Sequence, residues 1–311
     1  MNILITGGAG FVGSYVCEKL IAQGHSVSIV DNFSTGRLEN VIPGTNVFKC
    51  DLASEQDEHL QDLFESVQPN ALIHLAAIHF IPYCIANPGK TFAINVDATE
   101  RLLRILPSSV SRVVFASTMD VYAPTDRLHH ENDTPEPCNV YGLSKYIGES
   151  LLAYKVRTTE NFTGIALRFA NVIGSRETNP HLIPDVLKRL LEPTTPQLET
   201  GYLGSARDFV DARDLAQAVV AALLNETERF VVYNVGSGVS TPVRRVVELL
   251  MQYAGDRRAL VEDTRKFRKF DRKTLSPDIQ RISQRFHWQP KYTLEQSLKR
   301  IVEDAMRNRS A

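Results

Sequence analysis

The chain has 311 residues, of which 43% are hydrophobic and 23% charged, a composition typical of a globular protein. Its 35 Lys and Arg residues nearly balance 36 Asp and Glu residues, and the net charge of -1 excludes an overall field that would recruit nucleic acid or an anionic membrane surface.

Four cysteines lie far apart, without C-x-x-C spacing and without companion histidines. This argues against both a zinc site and a disulfide framework, and we predict no metal site. The sequence shows neither a basic leader with an apolar stretch nor a run of about eighteen apolar residues. We therefore expect a cytoplasmic protein with no membrane partner.

Apolar runs alternate with helical segments along the chain, which predicts an α/β fold with a doubly wound parallel sheet of the Rossmann type. The predicted strands cover residues 3–6, 27–30, 47–50, 71–75, 112–116 and 164–168, and helices are predicted over 93–106 and 139–154. After about residue 170 prolines break the pattern, before a helix at 211–224 and a strand at 230–235. The prediction is one domain over 1–170, to which some later segments return, and a smaller mixed α/β domain over 171–311.

The first strand runs directly into glycines at positions 7, 8, 10 and 13, and a helix follows. Glycines let the backbone turn tightly and approach phosphates, while a helix N-terminus attracts anions. Asp31 ends the second strand, where a carboxylate accepts hydrogen bonds from an adenosine ribose and repels a 2′-phosphate. The pattern predicts a dinucleotide-binding domain with NAD favoured over NADP.

Tyr141 and Lys145 are four residues apart on a predicted helix, so they share one face. A tyrosine with an ordinary pKa of about 10 is a poor base at neutral pH, and a nearby lysine cation is expected to stabilise the phenolate. Thr118 follows the strand 112–116, at the edge where open α/β sheets bind ligands. Its hydroxyl is a candidate to hydrogen-bond the reacting group.

These residues resemble the extended short-chain dehydrogenase/reductases, and within them the NAD-dependent nucleotide-sugar epimerases and dehydratases of the UDP-glucose 4-epimerase type. The resemblance covers nearly the whole chain. The matching segments are 7–13, 31–36, 50–52, 74–77, 94–96, 117–122, 141–145, 167–174, 207–210, 233–236 and 288–290.

The resemblance implies a role for each matching residue. Thr118, Tyr141 and Lys145 would be catalytic. Residues implied to bind NAD are Gly7, Gly10, Phe11, Val12, Gly13, Asp31, Asn32, Ser34, Thr35, Asp51, Leu52, Leu75, Ala76, Ala77, Asn95, Ser117, Tyr141, Lys145 and Phe169. Residues implied to bind the nucleotide sugar are His79, Thr118, Asp120, Asn171, His181, Arg207 and Arg268, the two arginines at the diphosphate.

The shared first step in this family oxidises C4 of the hexose, with Tyr141 taking the 4-hydroxyl proton, and leaves a transient 4-keto sugar. Without a further acid or base the sugar is expected to return as its 4-epimer. The 4,6-dehydratases carry an acid and a base directly after the catalytic threonine, where this chain has Met119 and Asp120. Methionine has no proton to give, so we predict a 4-epimerase of a UDP-hexose or UDP-hexuronate.

Asp120 keeps a dehydratase or a UDP-glucuronate decarboxylase type of enzyme open as the alternative. A dinucleotide sensor without catalysis is a weaker alternative, because a sensor has no need of Thr118, Tyr141 and Lys145 together. Phe80, Tyr83 and Cys84 replace a more polar stretch of the family and are expected to make the sugar pocket bulkier. A homodimer is also implied, with Leu102, Leu103, Ile147 and Leu151 as candidates for its apolar face.

Overall fold

The computed structural model describes residues 1–125, 127–192, 194–264 and 274–310. The strands are β1 (Asn2–Thr6), β2 (Ser26–Asp31), β3 (Asn46–Lys49), β4 (Ala71–His74), β5 (Arg112–Thr118), β6 (Thr163–Phe169), β7 (Asn171–Ile173), β8 (Gln197–Thr200), β9 (Ala206–Asp211), β10 (Phe230–Val235), β11 (Ser240–Pro242), β12 (Ala259–Glu262) and β13 (Thr274–Leu275).

The α-helices are α1 (Phe11–Ala22), α2 (Asp57–Val67), α3 (Ile81–Ala86), α4 (Pro88–Phe92), α5 (Ala98–Ile105), α6 (Val140–Thr158), α7 (Leu182–Leu191), α8 (Ala212–Asn225), α9 (Val243–Ala254), α10 (Gln280–Phe286) and α11 (Leu294–Ser310). Short 3-10 helices cover Leu38–Asn40 and Met119–Val121, and a π-helical turn covers Ala93–Asp97.

Seven parallel strands form the main sheet in the order β3-β2-β1-β4-β5-β6-β10. The strand order reverses between β1 and β4, and the carboxyl ends of strands at such a point form a ligand-binding crevice. The predicted Rossmann-type α/β fold is therefore confirmed.

Both faces of the sheet are buried, which is why its strands read as continuous apolar runs. Side chains alternate between the faces with a period of two. Ile3 and Ile5 pack in a core with residues of α1 and α8. Leu4, between them, packs in a second core with residues of α2, α5 and α6.

A second layer rests on the carboxyl edge of this sheet. In it β11, β9, β13 and β7 form a four-stranded sheet, and β8 pairs with β12. Its own core joins apolar side chains of α7, α9 and α11, such as Ile183, Val246 and Leu298. The strand β10, however, lies beside β6 in the main sheet, so the chain returns to the first layer after residue 171.

Two expectations are wrong in detail. The segment 93–106 is not one regular helix, because a π-helical turn at Ala93–Asp97 joins α4 to α5. Leu102 and Leu103 are only 2% and 6% exposed, since they pack in the core under the sheet, and they cannot supply an exposed dimer face. Among the described residues, no helix is long and apolar enough to cross a membrane.

Candidate active site

A cavity of about 1160 Å³ opens at the carboxyl ends of β1, β2, β4, β5 and β6 and continues under the second layer. Its wall contains all the predicted NAD-binding residues except Asn95, and every predicted substrate-binding residue that the structure describes. Arg268 lies outside the described residues. The structure thus brings residues that are far apart in sequence to one continuous space.

The glycine loop forms the floor of the cavity between β1 and α1. Gly7 has a φ of +72°, and its N–H donates to the Val30 carbonyl at 2.8 Å. A Cβ on Gly13 would overlap the Gly7 carbonyl oxygen, so the close approach of loop and helix requires glycine there. Gly10 caps α1 without a side-chain hydrogen bond, and the first turn carries no acidic residue. This open helix N-terminus fits the diphosphate of a dinucleotide.

Asp31 ends β2 beside the glycine loop and is buried. Its two carboxylate oxygens accept hydrogen bonds from the N–H of Ala9 at 3.0 Å and of Phe33 at 2.8 Å. Burial raises the pKa of this carboxyl, and those N–H donors oppose the rise. Asn32, Ser34 and Thr35 follow in the cavity wall, and Asp51 and Leu52 also line the cavity. These two segments, one with Asn32, Ser34 and Thr35 and the other with Asp51 and Leu52, fit the two sides of an adenosine.

Thr118 lies at the end of β5, where the chain turns into the 3-10 helix Met119–Val121. Its Oγ1 accepts a hydrogen bond from the Asp120 N–H at 3.2 Å. The Asp120 Oδ1 accepts from the side-chain amide of Asn139 at 3.0 Å, and the Asn139 Oδ1 caps α6 by accepting from the Gly142 N–H at 2.8 Å. Asn139 therefore fixes the start of α6 against the end of β5, next to Tyr141.

The pKa of the Tyr141 phenol is raised. The sequence predicts the opposite, that Lys145 would lower the pKa of this phenol. Burial is the largest cause, and the charge of Asp120 raises the pKa further, whereas a hydrogen bond with Thr118 lowers it. Lys145 is itself buried, which lowers its pKa to about 7, while the charge of Glu149 opposes this shift. A lysine with a pKa of about 7 is only partly protonated at pH 7, so it has less positive charge with which to stabilise a phenolate.

Behind these residues lies a buried hydrogen-bonded group that the sequence did not single out. Glu149 of α6 receives two hydrogen bonds from Arg168 of β6, at 2.9 and 2.7 Å, and one from the Ser117 hydroxyl. Arg168 also donates to the Tyr122 hydroxyl at 2.7 Å. These contacts connect α6 to β5 and β6 one turn beyond Lys145.

Asn95 is buried beneath the cavity rather than in its wall. Its side-chain amide receives a hydrogen bond from the Ile78 N–H at 2.8 Å and donates to the Ile78 carbonyl at 2.9 Å and to Ser144 at 3.0 Å. The π-helical turn places it there. Asn95 thus fixes the loop after β4 against α6.

On the other side of the cavity, His79 and His181 stack with ring centroids 5.3 Å apart, and Asn171 and Arg207 also line the space. Apolar residues of this wall include Ile78, Ile81, Pro82 and Ile85. Phe80, Tyr83 and Cys84 are not among the lining residues, so the prediction that these three side chains narrow the pocket is wrong. Phe80 packs edge-on against His181, Tyr83 is partly exposed, and Cys84 is buried.

A model of the NAD dependent epimerase/dehydratase family matches residues 3–236. The chain belongs to this family. Its dependence on NAD and the predicted membership of an epimerase-type enzyme family are thereby confirmed.

Named relatives agree with this assignment. A UDP-glucose 4-epimerase of Corynebacterium glutamicum is 31% identical, over 98% of this chain and 94% of the relative. The solved structure of a UDP-glucose 4-epimerase from Thermotoga maritima with UDP-glucose is 28% identical with a TM-score of 0.91, covering 100% of both chains. That of Thermus thermophilus with NAD is also 28% identical, with a TM-score of 0.89, covering 98% of this chain and 99% of that one.

Proposed function

We propose that this family member interconverts the C4 epimers of a UDP-hexose or UDP-hexuronate, through a transient 4-keto sugar. One observation carries the proposal: Thr118, Tyr141 and Lys145 line a cavity that continues from the glycine loop to Asn171 and Arg207. NAD, when bound, supplies a reversible oxidant for C4. Its binding residues would be those around the glycine loop and Asp31.

The chain's own side chains can provide the proton transfer, the hydrogen bonding and the diphosphate binding that the reaction also needs. Tyr141, in its phenolate form, is the proton acceptor for the 4-hydroxyl, and Thr118 holds that oxygen in place by hydrogen bonding. Because the pKa of this phenol is raised, turnover should rise with pH as more of it ionises. Lys145, buried with a pKa lowered to about 7, is able to take up and release a proton near neutral pH. Arg207 offers a guanidinium to the diphosphate.

Epimerisation is favoured over dehydration by the two residues after Thr118. Met119 is buried, with 1% of its surface exposed, and its thioether cannot donate a proton. Asp120 lines the cavity but already accepts a hydrogen bond from Asn139. Because Asp120 does line the cavity, a dehydratase or a decarboxylase using Asp120 is the second candidate.

Proton NMR in D2O separates these outcomes. The purified protein is incubated, without added cofactor, with UDP-glucose, UDP-galactose, UDP-glucuronate and UDP-N-acetylglucosamine, and with dTDP, GDP and CDP sugars. Appearance of a 4-epimer without deuterium at C5 supports the proposal. Deuterium at C5, an accumulated 4-keto sugar or loss of the carboxylate supports the second candidate instead.

We also propose a homodimer formed through α6. Leu143, Ile147, Leu151 and Tyr154 recur at helical spacing on one side of this helix. Leu143 and Tyr154 are 40% and 61% exposed. Light scattering should give twice the chain mass, and Tyr154→Glu should shift it toward the monomer. A monomeric wild-type protein would contradict the proposal.

A further inference from the structure

The sugar side of the cavity holds a cluster of potential metal ligands, and the family resemblance, which places two of them at the nucleotide sugar, implies no metal there. His79 lies in the loop after β4, while Glu177 and His181 lie in the segment between β7 and α7, about one hundred positions later. One donor atom from each side chain lies within 4.8 Å of the other two. Among the described residues this is the one group of three or more His, Cys, Asp or Glu side chains so arranged.

The hydrogen bonds of Asn179 show how two of these groups are oriented. Its side-chain nitrogen lies 3.2 Å from His79 Nε2 and 3.2 Å from Glu177 Oε1. Since an amide NH2 only donates, both of those atoms act as acceptors toward the same nitrogen. A metal ion bound by these two atoms would therefore displace the Asn179 amide and use the unprotonated imidazole and carboxylate lone pairs that now accept from it.

The surroundings hold the cluster in place. The two imidazole rings stack at 24° with centroids 5.3 Å apart, and Phe80 packs edge-on against His181 at 5.4 Å. The Asn179 N–H also donates to Glu177 Oε1 at 2.8 Å. All three candidate ligands are half-buried in the cavity wall, where fewer waters compete for a bound cation.

We propose that His79, Glu177 and His181 bind a divalent transition metal ion, with remaining coordination positions open to the cavity. Two imidazoles and one carboxylate form a donor set that zinc uses in catalytic sites and that iron(II) uses in others. Ligands about 2.1 Å from zinc in a tetrahedral site lie roughly 3.4 Å apart, so binding requires the donor atoms to approach through small side-chain rotations. Oxygen atoms of a molecule in the cavity would complete the coordination.

The site is a property of these residues and does not depend on the proposed epimerase activity. The sequence predicts no metal site, because spacing along the chain does not bring these three side chains together. Glu177 and His181 are four residues apart in a loop with a proline between them, and His79 joins them only in the folded chain.

Binding of Co2+ alone, followed by its visible absorption and by calorimetry, tests the proposal. We expect a single equivalent per chain, displaced by Zn2+ and not by Mg2+. His79→Gln, Glu177→Gln and His181→Gln should each weaken the affinity by about 100-fold or more, since loss even of a group behind a ligand costs 10- to 100-fold. The unliganded Tm of each variant, compared with the wild type, reports whether it folds.

A matched control is His59→Gln on α2. His59 and Glu55 form an exposed pair at 2.8 Å, so this variant removes an imidazole beside a carboxylate elsewhere on the surface. Its affinity for Co2+ should equal that of the wild type. Absence of a stoichiometric Co2+ site, or equal binding in folded His79→Gln, Glu177→Gln and His181→Gln variants, would overturn the proposal whatever the enzyme's activity.

Discussion

The Lys145 Nζ lies 4.1 Å from the centroid of the Phe115 ring, in a fully buried position between β5 and α6. The ring face attracts the cation, but burial still lowers the pKa of this ammonium to about 7. Buried ammonium groups are costly when charged. The chain therefore holds at its candidate catalytic centre a lysine that gives up its proton far more readily than a lysine in water.

This buried lysine should make stability depend on pH. Between pH 7 and the ordinary lysine value of about 10.4 the unfolded chain binds more protons than the native chain at this position, so the free energy of unfolding rises with pH. We expect urea unfolding from pH 7 to 8.5 to show this rise, and Lys145→Met to show a smaller one.

The pH window ends at 8.5 because, above it, Cys17 and Cys50 make the free energy of unfolding fall as the pH rises. Burial raises the pKa of both thiols to about 12, so the native chain retains their protons when the unfolded chain loses them. Lys90→Met, at an exposed lysine, is the control and should keep the wild-type slope. An equal slope in Lys145→Met would show that Lys145 is not the group responsible.

Much of the architecture was predictable because its signals are local. The glycines after β1 and the carboxylate after β2 stand next to the strands that position them, and Tyr141 and Lys145 are one helical turn apart. The alternation of strands and helices then places the carboxyl ends of β1, β4 and β5 together. These relationships need only the chain's local periodicity and the rule for parallel sheets.

The remaining parts depend on contacts between distant segments. Asn179 contacts His79 across 100 positions, and Glu149 pairs with Arg168 of the neighbouring strand. The raised pKa of Tyr141 does not follow from the sequence for a related reason, since spacing reveals a neighbouring lysine but not the burial of both groups. The π-helical turn at Ala93–Asp97 was missed because apolar spacing continues through it.

The close packing of the glycine loop predicts that Gly13→Ala weakens NAD binding. The added methyl group would overlap the Gly7 carbonyl oxygen and push the loop away from the start of α1. We expect at least a tenfold loss of affinity, about 1.4 kcal/mol, by calorimetry with NAD. Gly89→Ala is the control, because a Cβ there meets no atom within 4 Å. Unchanged affinity for NAD in Gly13→Ala would show that this loop is not part of the cofactor site.

The position of Tyr141 in the cavity wall predicts that Tyr141→Phe loses turnover while retaining the fold. Removal of a general base costs about 10²- to 10⁴-fold in rate, and the loss should appear in kcat rather than in KM. Tyr253→Phe, on α9 and away from the cavity lining, should leave kcat unchanged. Retention of wild-type kcat in Tyr141→Phe would exclude its phenol as the proton acceptor.

The charge of Asp120 should control the pH at which Tyr141 works. That charge raises the pKa of the phenol, so Asp120→Asn should lower this pKa and move the rising limb of the pH profile of kcat toward lower pH. The new amide can still accept the hydrogen bond that Asn139 donates at 3.0 Å, which preserves the start of α6. Asp62→Asn on the exposed side of α2 is the control and should leave the profile in place. If Asp120→Asn instead abolishes product at every pH while binding of the nucleotide sugar persists, the carboxylate takes part in the chemistry itself and the dehydratase or decarboxylase candidate gains over epimerisation.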